Sequence, residues 1–192
     1  MLRRTALVAT LLVLLSVTSA AAATTTITIT DYAYPPSTSI HLGDTVKWSN
    51  QHITLHSTTG DSPLKLWSHD IPVGHSVDVT FAQAGTFAFH CRIHPDLMFG
   101  VIRVPLKVTP FAGSASTTFT VRVATVRAPA GFSYVIQRRA GSGSFKAWKV
   151  TTSPTAAFKP GHTGTWTFRS RLKRLSNGGT SGWSPTATIT VP

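Results

Sequence analysis

The sequence predicts an all-β chain of two successive β-sandwiches behind a targeting segment, and three observations predict it. Thr and Val dominate the regular stretches, where apolar and polar residues alternate in short runs, the period of half-buried strands. The 14 Gly and 12 Pro of the 192 residues punctuate those runs as turns. Charge then divides the chain. Residues 24–108 set five Lys or Arg against six Asp, whereas 109–192 hold eleven Lys or Arg and no acidic residue. The small-residue run Gly113-Ser114-Ala115-Ser116, close after Pro110, marks the shift as a domain boundary. No segment makes a convincing amphipathic helix, so an antiparallel sandwich is the natural container for each half.

Taken in order, residues 1–23 read as a signal peptide. Arg3 and Arg4 form a positive start, Ala6 to Val17 an apolar stretch, and Thr18 to Ala23 a small-residue cleavage region. The stretch is short for a membrane span. The expectation is a secreted or periplasmic, envelope-associated protein with no membrane span after cleavage. Nucleic acid is then not expected as a partner for the basic half. In residues 24–108, strands are expected at Thr26 to Thr30, Ser39 to Leu42, Thr45 to Ser49, Ser76 to Phe81, Thr86 to Cys91 and Val101 to Val108. The Gly43-Asp44 and Ala84-Gly85 pairs turn the chain.

Cys91 is the sole cysteine. Exported domains use cysteines in pairs, so a lone thiol is either an inert buried group or the ligand of a metal. The segment Phe89 to Met98 favours the metal. It carries Cys91, His94 and Met98 within eight residues, at the end of a strand and along the loop after it. A thiolate with imidazole and a weak axial thioether is the donor set of blue copper electron-transfer sites. A second imidazole must come from elsewhere, and His56 lies six residues after Asn50, past the strand holding Val46 and Trp48.

Three segments succeed one another in a known pattern: Gly43-Asp44-Thr45-Val46-Lys47-Trp48-Ser49-Asn50, His56-Ser57, and Gly85-Thr86-Phe87-Ala88-Phe89-His90-Cys91 with Ile93-His94-Pro95. From Ile27 to Val104 the chain resembles small cupredoxins of the plastocyanin and amicyanin type. The resemblance implies a Greek-key sandwich holding one type 1 copper ion, with His56, Cys91 and His94 as strong ligands and Met98 as the axial one. It also implies the Ser57 N–H as a donor to the sulfur. Met98 comes four positions after the loop histidine, where close relatives of this type use three or five and azurin-like proteins use four. The other reading leaves Met98 as a loop hydrophobe, and Gly100 is expected to let the chain turn back into its last strand.

His90, adjoining Cys91 on a strand, should face away from the sulfur. His52 could support or compete with the site, and His41, His69 and His75 read as surface residues. His94 is the expected electron port, where a redox partner protein would dock, with Pro95, Leu97 and Phe99 either an apolar patch around it or ordinary loop packing. Catalysis is not expected. The chain lacks Glu and lacks the His-x-His pairs that additional copper ions need.

Residues 109–192 alternate over Phe119 to Val126, Phe132 to Arg139, Phe145 to Val150, Thr165 to Lys173 and Thr186 to Val191. The runs Tyr134 to Arg139, Trp166 to Arg171 and Gly179 to Pro185 resemble a fibronectin type III domain, which implies an immunoglobulin-like sandwich. It departs from that pattern in a first strand that is hard to place and in Trp166, where a corner tyrosine is usual. Arg169, Arg171 and Lys173 fall on one strand face, with Arg138 and Arg139 expected on the neighbouring strand. They make either a solvated surface or an attachment surface for a polyanionic envelope polymer or an acidic protein. The leading expectation for the whole chain is a secreted one-electron carrier. A copper-delivery protein, or an adhesion protein with a vestigial site, are the alternatives.

Overall fold

The computed structural model describes residues 21–192, so most of the expected signal peptide lies outside the described residues. No helix occurs among them. Fifteen strands run in order: β1 (Thr24–Ile29), β2 (Thr38–Ser39), β3 (Thr45–Asn50), β4 (His56–Gly60), β5 (Ser68–Ile71), β6 (Ser76–Thr80), β7 (Gly85–His90), β8 (Phe99–Val104), β9 (Lys107–Thr109), β10 (Phe119–Arg122), β11 (Phe132–Ala140), β12 (Lys146–Thr151), β13 (Thr155–Phe158), β14 (Gly164–Arg174) and β15 (Ala187–Val191).

The strands form two sandwiches. In the first, the sheet β1-β3-β6 faces the sheet β2-β8-β7-β4-β5. Ile27, Ile29, Val46 and Trp48 from one sheet meet Ile71, Phe87, Phe89 and Ile102 from the other. Alternation along each strand places these side chains inward. In the second, β13-β10-β9 faces β12-β11-β14-β15, around Phe119, Val121, Tyr134, Ile136, Phe158, Phe168 and Ile189. Each core is a continuous apolar layer between two sheets, which is what stabilises such an architecture.

Three strands escape the sequence pattern. The segment that forms β4, His-Ser-Thr-Thr-Gly, reads as a polar turn, yet four of its five residues are buried. It lies between β5 and β7, and its polar groups find partners from other elements. The Trp67 indole, for example, donates to Thr58 Oγ1 at 3.1 Å. Gly60 passes directly beneath the Trp67 ring, where a Cβ would sit 3.0 Å from it. β5 is too short and polar to announce itself, and β13 hides between Pro154 and Pro160.

The expected closing strand Val101 to Val108 is two strands. Pro105 offers no N–H to a ladder, and the chain changes sheets there. β8 pairs with β7, while β9 pairs with β10 of the second sandwich. The chain therefore enters the second sandwich ahead of the expected 108/109 boundary. Other first-half residues cross too. Leu64, from the loop between β4 and β5, is 4% exposed and lies within the second core, and Leu42 and Leu66 pack against both cores. Arg174 donates to the carbonyls of Pro63 and Leu64. Thr86 on β7 forms a bridge with Gly182, and its hydroxyl donates to the Trp183 carbonyl at 2.7 Å.

Candidate metal centre

The site lies at one end of the first sandwich, where β4 begins and β7 ends. Asn50 shapes the approach to it. Its Nδ2 donates to the carbonyls of Thr54 and Ile71, both at 2.8 Å, and its Oδ1 accepts from His52 N–H at 3.0 Å. Those bonds fold residues 51–55 tightly and deliver His56, fully buried, to the first position of β4. Cys91 comes directly after β7 and is also fully buried. The loop after it is a closed ring of backbone bonds. Cys91 N–H donates to Met98 O at 2.9 Å, His94 N–H to Cys91 O at 3.1 Å, and Met98 N–H to His94 O at 3.0 Å.

His56, Cys91 and His94 converge so that one donor atom from each lies within 4.8 Å of the others. Cys91 Sγ stands 3.7 Å from His94 Nδ1, and the two imidazole centroids are 5.1 Å apart. The sulfur accepts from Ser57 N–H at 3.3 Å and from Ser57 Oγ at 3.6 Å. Ser57 Oγ in turn accepts from Arg92 N–H at 2.9 Å. Tyr34 closes the other side of Ser57 by donating its hydroxyl to the Ser57 carbonyl. Burial, and then the nearby Cys91, push the Tyr34 phenol far above its ordinary range, so it stays a donor.

His56 shows most clearly that the pocket suits a cation. Its Nε2 lies 3.0 Å from His52 Nδ1 and 3.3 Å from Thr54 Oγ1, whereas its Nδ1 is buried with no partner among the described residues. Burial, followed by the neighbouring His94 and His52, lowers its pKa and keeps the ring neutral. An N–H at Nε2, donated to His52 Nδ1 or Thr54 Oγ1, would leave a bare lone pair at Nδ1. A buried lone pair without a donor is costly unless a cation meets it. Sulfur, two imidazoles and burial together suit a soft or borderline ion such as copper. Met98 is fully buried in the same core, its amide and carbonyl fixed by the loop.

The remaining histidines separate from the site as their surroundings dictate. His90 turns away from Cys91 and bonds Asp61 through Nδ1. His41 pairs with Asp44 at 3.4 Å on the surface. His52, by contrast, is an integral neighbour of His56. Gly100 is needed for a different reason from the turn expected of it. It lies within β8, and a Cβ there would come within 2.8 Å of both the Phe89 ring and the Pro35 carbonyl. Sequence reasoning missed Tyr32. Its ring stands edge-on to His52, His56 and His94, with centroids at 4.8, 5.8 and 4.9 Å, and roofs the site. The only cue was a pair of tyrosines, Tyr32 and Tyr34, in a short stretch between strands.

No family model matches the chain. Among solved structures, a reduced amicyanin variant is 27% identical, covering 41% of this chain and 79% of its own, with a TM-score of 0.39. An oxidized amicyanin variant is 26% identical over the same shares, with a TM-score of 0.37. A purple cupredoxin from Nitrosopumilus maritimus is 22% identical, covering 41% of this chain and 97% of its own, with a TM-score of 0.39. The convergence of His56, Cys91 and His94, rather than these partial likenesses, defines the site.

Proposed function

We propose that the protein is a secreted type 1 copper protein that carries single electrons, with no catalytic turnover of its own. The observation that carries this reading is the convergence of His56, Cys91 and His94, with the buried His56 Nδ1 meeting no hydrogen-bond partner among the described residues. His56, Cys91 and His94 would hold one copper ion, with Met98 as the axial ligand. Copper bound there supplies one-electron chemistry between its two oxidation states.

The chain's own contribution is rigidity and exclusion of water. The backbone ring over residues 91–98, the Asn50 bonds and the strand frame hold the donors in one arrangement, which keeps reorganisation on electron transfer small. Ser57 N–H stabilises charge on the sulfur and so tunes the potential. Tyr32 and the buried core keep solvent from the donors. The loop before His56 exposes Ile53 and Leu55, and the chain after His94 exposes Leu97 and, at the start of β8, Phe99, the last two 62% and 63% exposed. This apolar rim is the proposed docking patch of a redox partner, and the basic second sandwich is the proposed attachment surface. Full burial of His56 and Cys91 favours a resident ion over one passed on readily, and so favours a carrier over a delivery protein.

The test is titration of the mature protein with Cu(II), followed by visible absorption, paramagnetic resonance and voltammetry. One equivalent, an intense charge-transfer band and fast reversible voltammetry are expected. A faint band with ready transfer of copper to a chelator would overturn the carrier reading in favour of delivery.

A further inference from the structure

We propose that the outer face of β11 and β14 binds an extended polyol-phosphate chain, one phosphodiester per repeat, along a fixed row of cations. The inference deepens the attachment role above and is independent of the metal centre. It starts from the alternation of β14. Trp166, Phe168, Ser170 and Leu172 are buried, so Arg169, Arg171 and Lys173 project to the opposite, outer face. Register sets Gln137 of β11 opposite Arg169, and Arg139 opposite Thr167, which adds Arg139 to that face. Arg138 leaves it. Its guanidinium lies over the inner rings of Trp148, Phe158 and Trp166.

The three arginines of this face are held in place by aromatic rings rather than free in solvent. The Arg169 guanidinium lies 4.0 Å from the Phe145 centroid and 4.5 Å from that of Trp183. Arg139 takes Phe145 at 4.9 Å, and Arg171 takes Trp183 at 4.2 Å. The order is Arg139, Phe145, Arg169, Trp183, Arg171: a stack of alternating cations and rings. Gln137 Oε1 accepts from Nε and Nη2 of Arg169 at 2.9 and 2.7 Å. Trp183 is anchored on both sides. The hydroxyls of Ser181 and Ser184 accept from the N–H groups of Leu172 and Ser170, both at 3.1 Å. Much of the side-chain freedom that a long cation loses on meeting a ligand is thus already lost on folding.

The row is also uncompensated. Among the described residues the ion pairs are His41–Asp44, His90–Asp61 and Arg92–Asp70, all in the first half. Residues 109–192 contain no carboxylate side chain to answer eleven cations. Burial, then Arg171 and Arg139, lower the Arg169 pKa, which registers the mutual repulsion of the three guanidinia. Three features choose the occupant. Same-face residues on a strand repeat at about 6.7 Å, so the row suits a linear polymer with a regular anionic repeat better than a globular acidic partner. A phosphodiester presents two free oxygens in a tetrahedral arrangement and can bridge successive guanidinium forks, whereas one fork satisfies a planar carboxylate. Both aromatic rings already carry guanidinia, which leaves no platform for the base stacking that single-stranded nucleic acid uses.

The test compares two triple variants of the full copper-loaded chain, with poly(glycerol phosphate) as the probe. R139Q/R171Q/K173Q removes three of the row's four cations and leaves only Arg169, and K146Q/K149Q/K159Q removes the same charge from exposed lysines elsewhere. The first should weaken binding at least about tenfold and reduce the log–log salt slope by about 2. The second should stay within about twofold of the unmodified protein. Equal losses in both triples would overturn the row in favour of bulk charge. Equally tight binding of poly-L-glutamate, or tighter binding of a single-stranded oligonucleotide, would overturn the choice of polymer. Should the first triple fail to fold, Arg171→Lys with Lys173→Gln keeps the stacked cation and should still weaken binding measurably; no change would overturn the proposal. The visible band, read on every variant, reports any failure of the metal assignment separately.

Discussion

The two sandwiches put their buried polar groups to opposite uses. In the first, Asn50, His56, Ser57 and Thr58 are buried within a few residues of one another; Asn50 folds the loop that delivers His56, and Ser57 donates to the Cys91 sulfur. In the second, the buried polar residues include Ser170, Ser181 and Ser184, and the last two satisfy the backbone of β14. The first sandwich gathers its donors into a pocket at one end, while the second carries its charge on the outer face of one sheet. A sandwich can thus place chemistry inside at one end or outside on one face. The choice is made by which polar groups find partners within the core.

The sharpest way to break this contrast is Cys91→Ser. It should abolish the charge-transfer band and weaken copper binding by more than about a hundredfold, because a hydroxyl is a poor donor for a soft site. An unchanged band by visible spectroscopy would sink the copper assignment. His52→Ala comes next. Loss of the ring that meets His56 Nε2 should lower copper affinity by roughly ten- to a hundredfold, measured by competition with a chelator. The thermal transition of the copper-free protein should barely move.

Leu64→Ala asks whether the two regions are separate at all. Deleting a side chain buried in the far core should cost about 2–5 kcal/mol, read by denaturant unfolding with the copper band and aromatic fluorescence as two probes. Coincident transitions are expected, because the residue belongs to both halves; a band that outlasts the second sandwich would show the halves to be independent. The smallest effect is expected from Met98→Leu. The fit of a similar volume should keep the stability cost below about 1.5 kcal/mol. The potential and the paramagnetic-resonance parameters should still shift, and if neither moves, Met98 is no ligand.

How far the residues announced these features depended on how local each one was. Strands such as β3 and β14 alternate clearly enough to be read directly, since burial on one face imposes a period of two. β4 could not be read that way. Ser57 and Thr58 are buried because Trp67, Cys91 and Tyr34 arrive from other elements to match them. The single break at Pro105 likewise looks like the interior of one strand until β9 is seen to pair with β10. The basic row was visible as Arg169, Arg171 and Lys173. Its stacking on Phe145 and Trp183, and the departure of Arg138 to the inner face, were not.

The chain by itself determined the all-β class, the change of charge near the middle, and the cluster of Cys91, His94 and Met98, whose eight-residue span leaves them no choice but to be neighbours. Tertiary structure decided what depends on distant chain segments meeting. It brought His56 across from β4, placed His52 behind its Nε2, laid Tyr32 over the imidazoles and pushed Leu64 into the second core. Short-range spacing limits where a donor can lie; only packing decides which lone pair is left unpaired and facing the pocket.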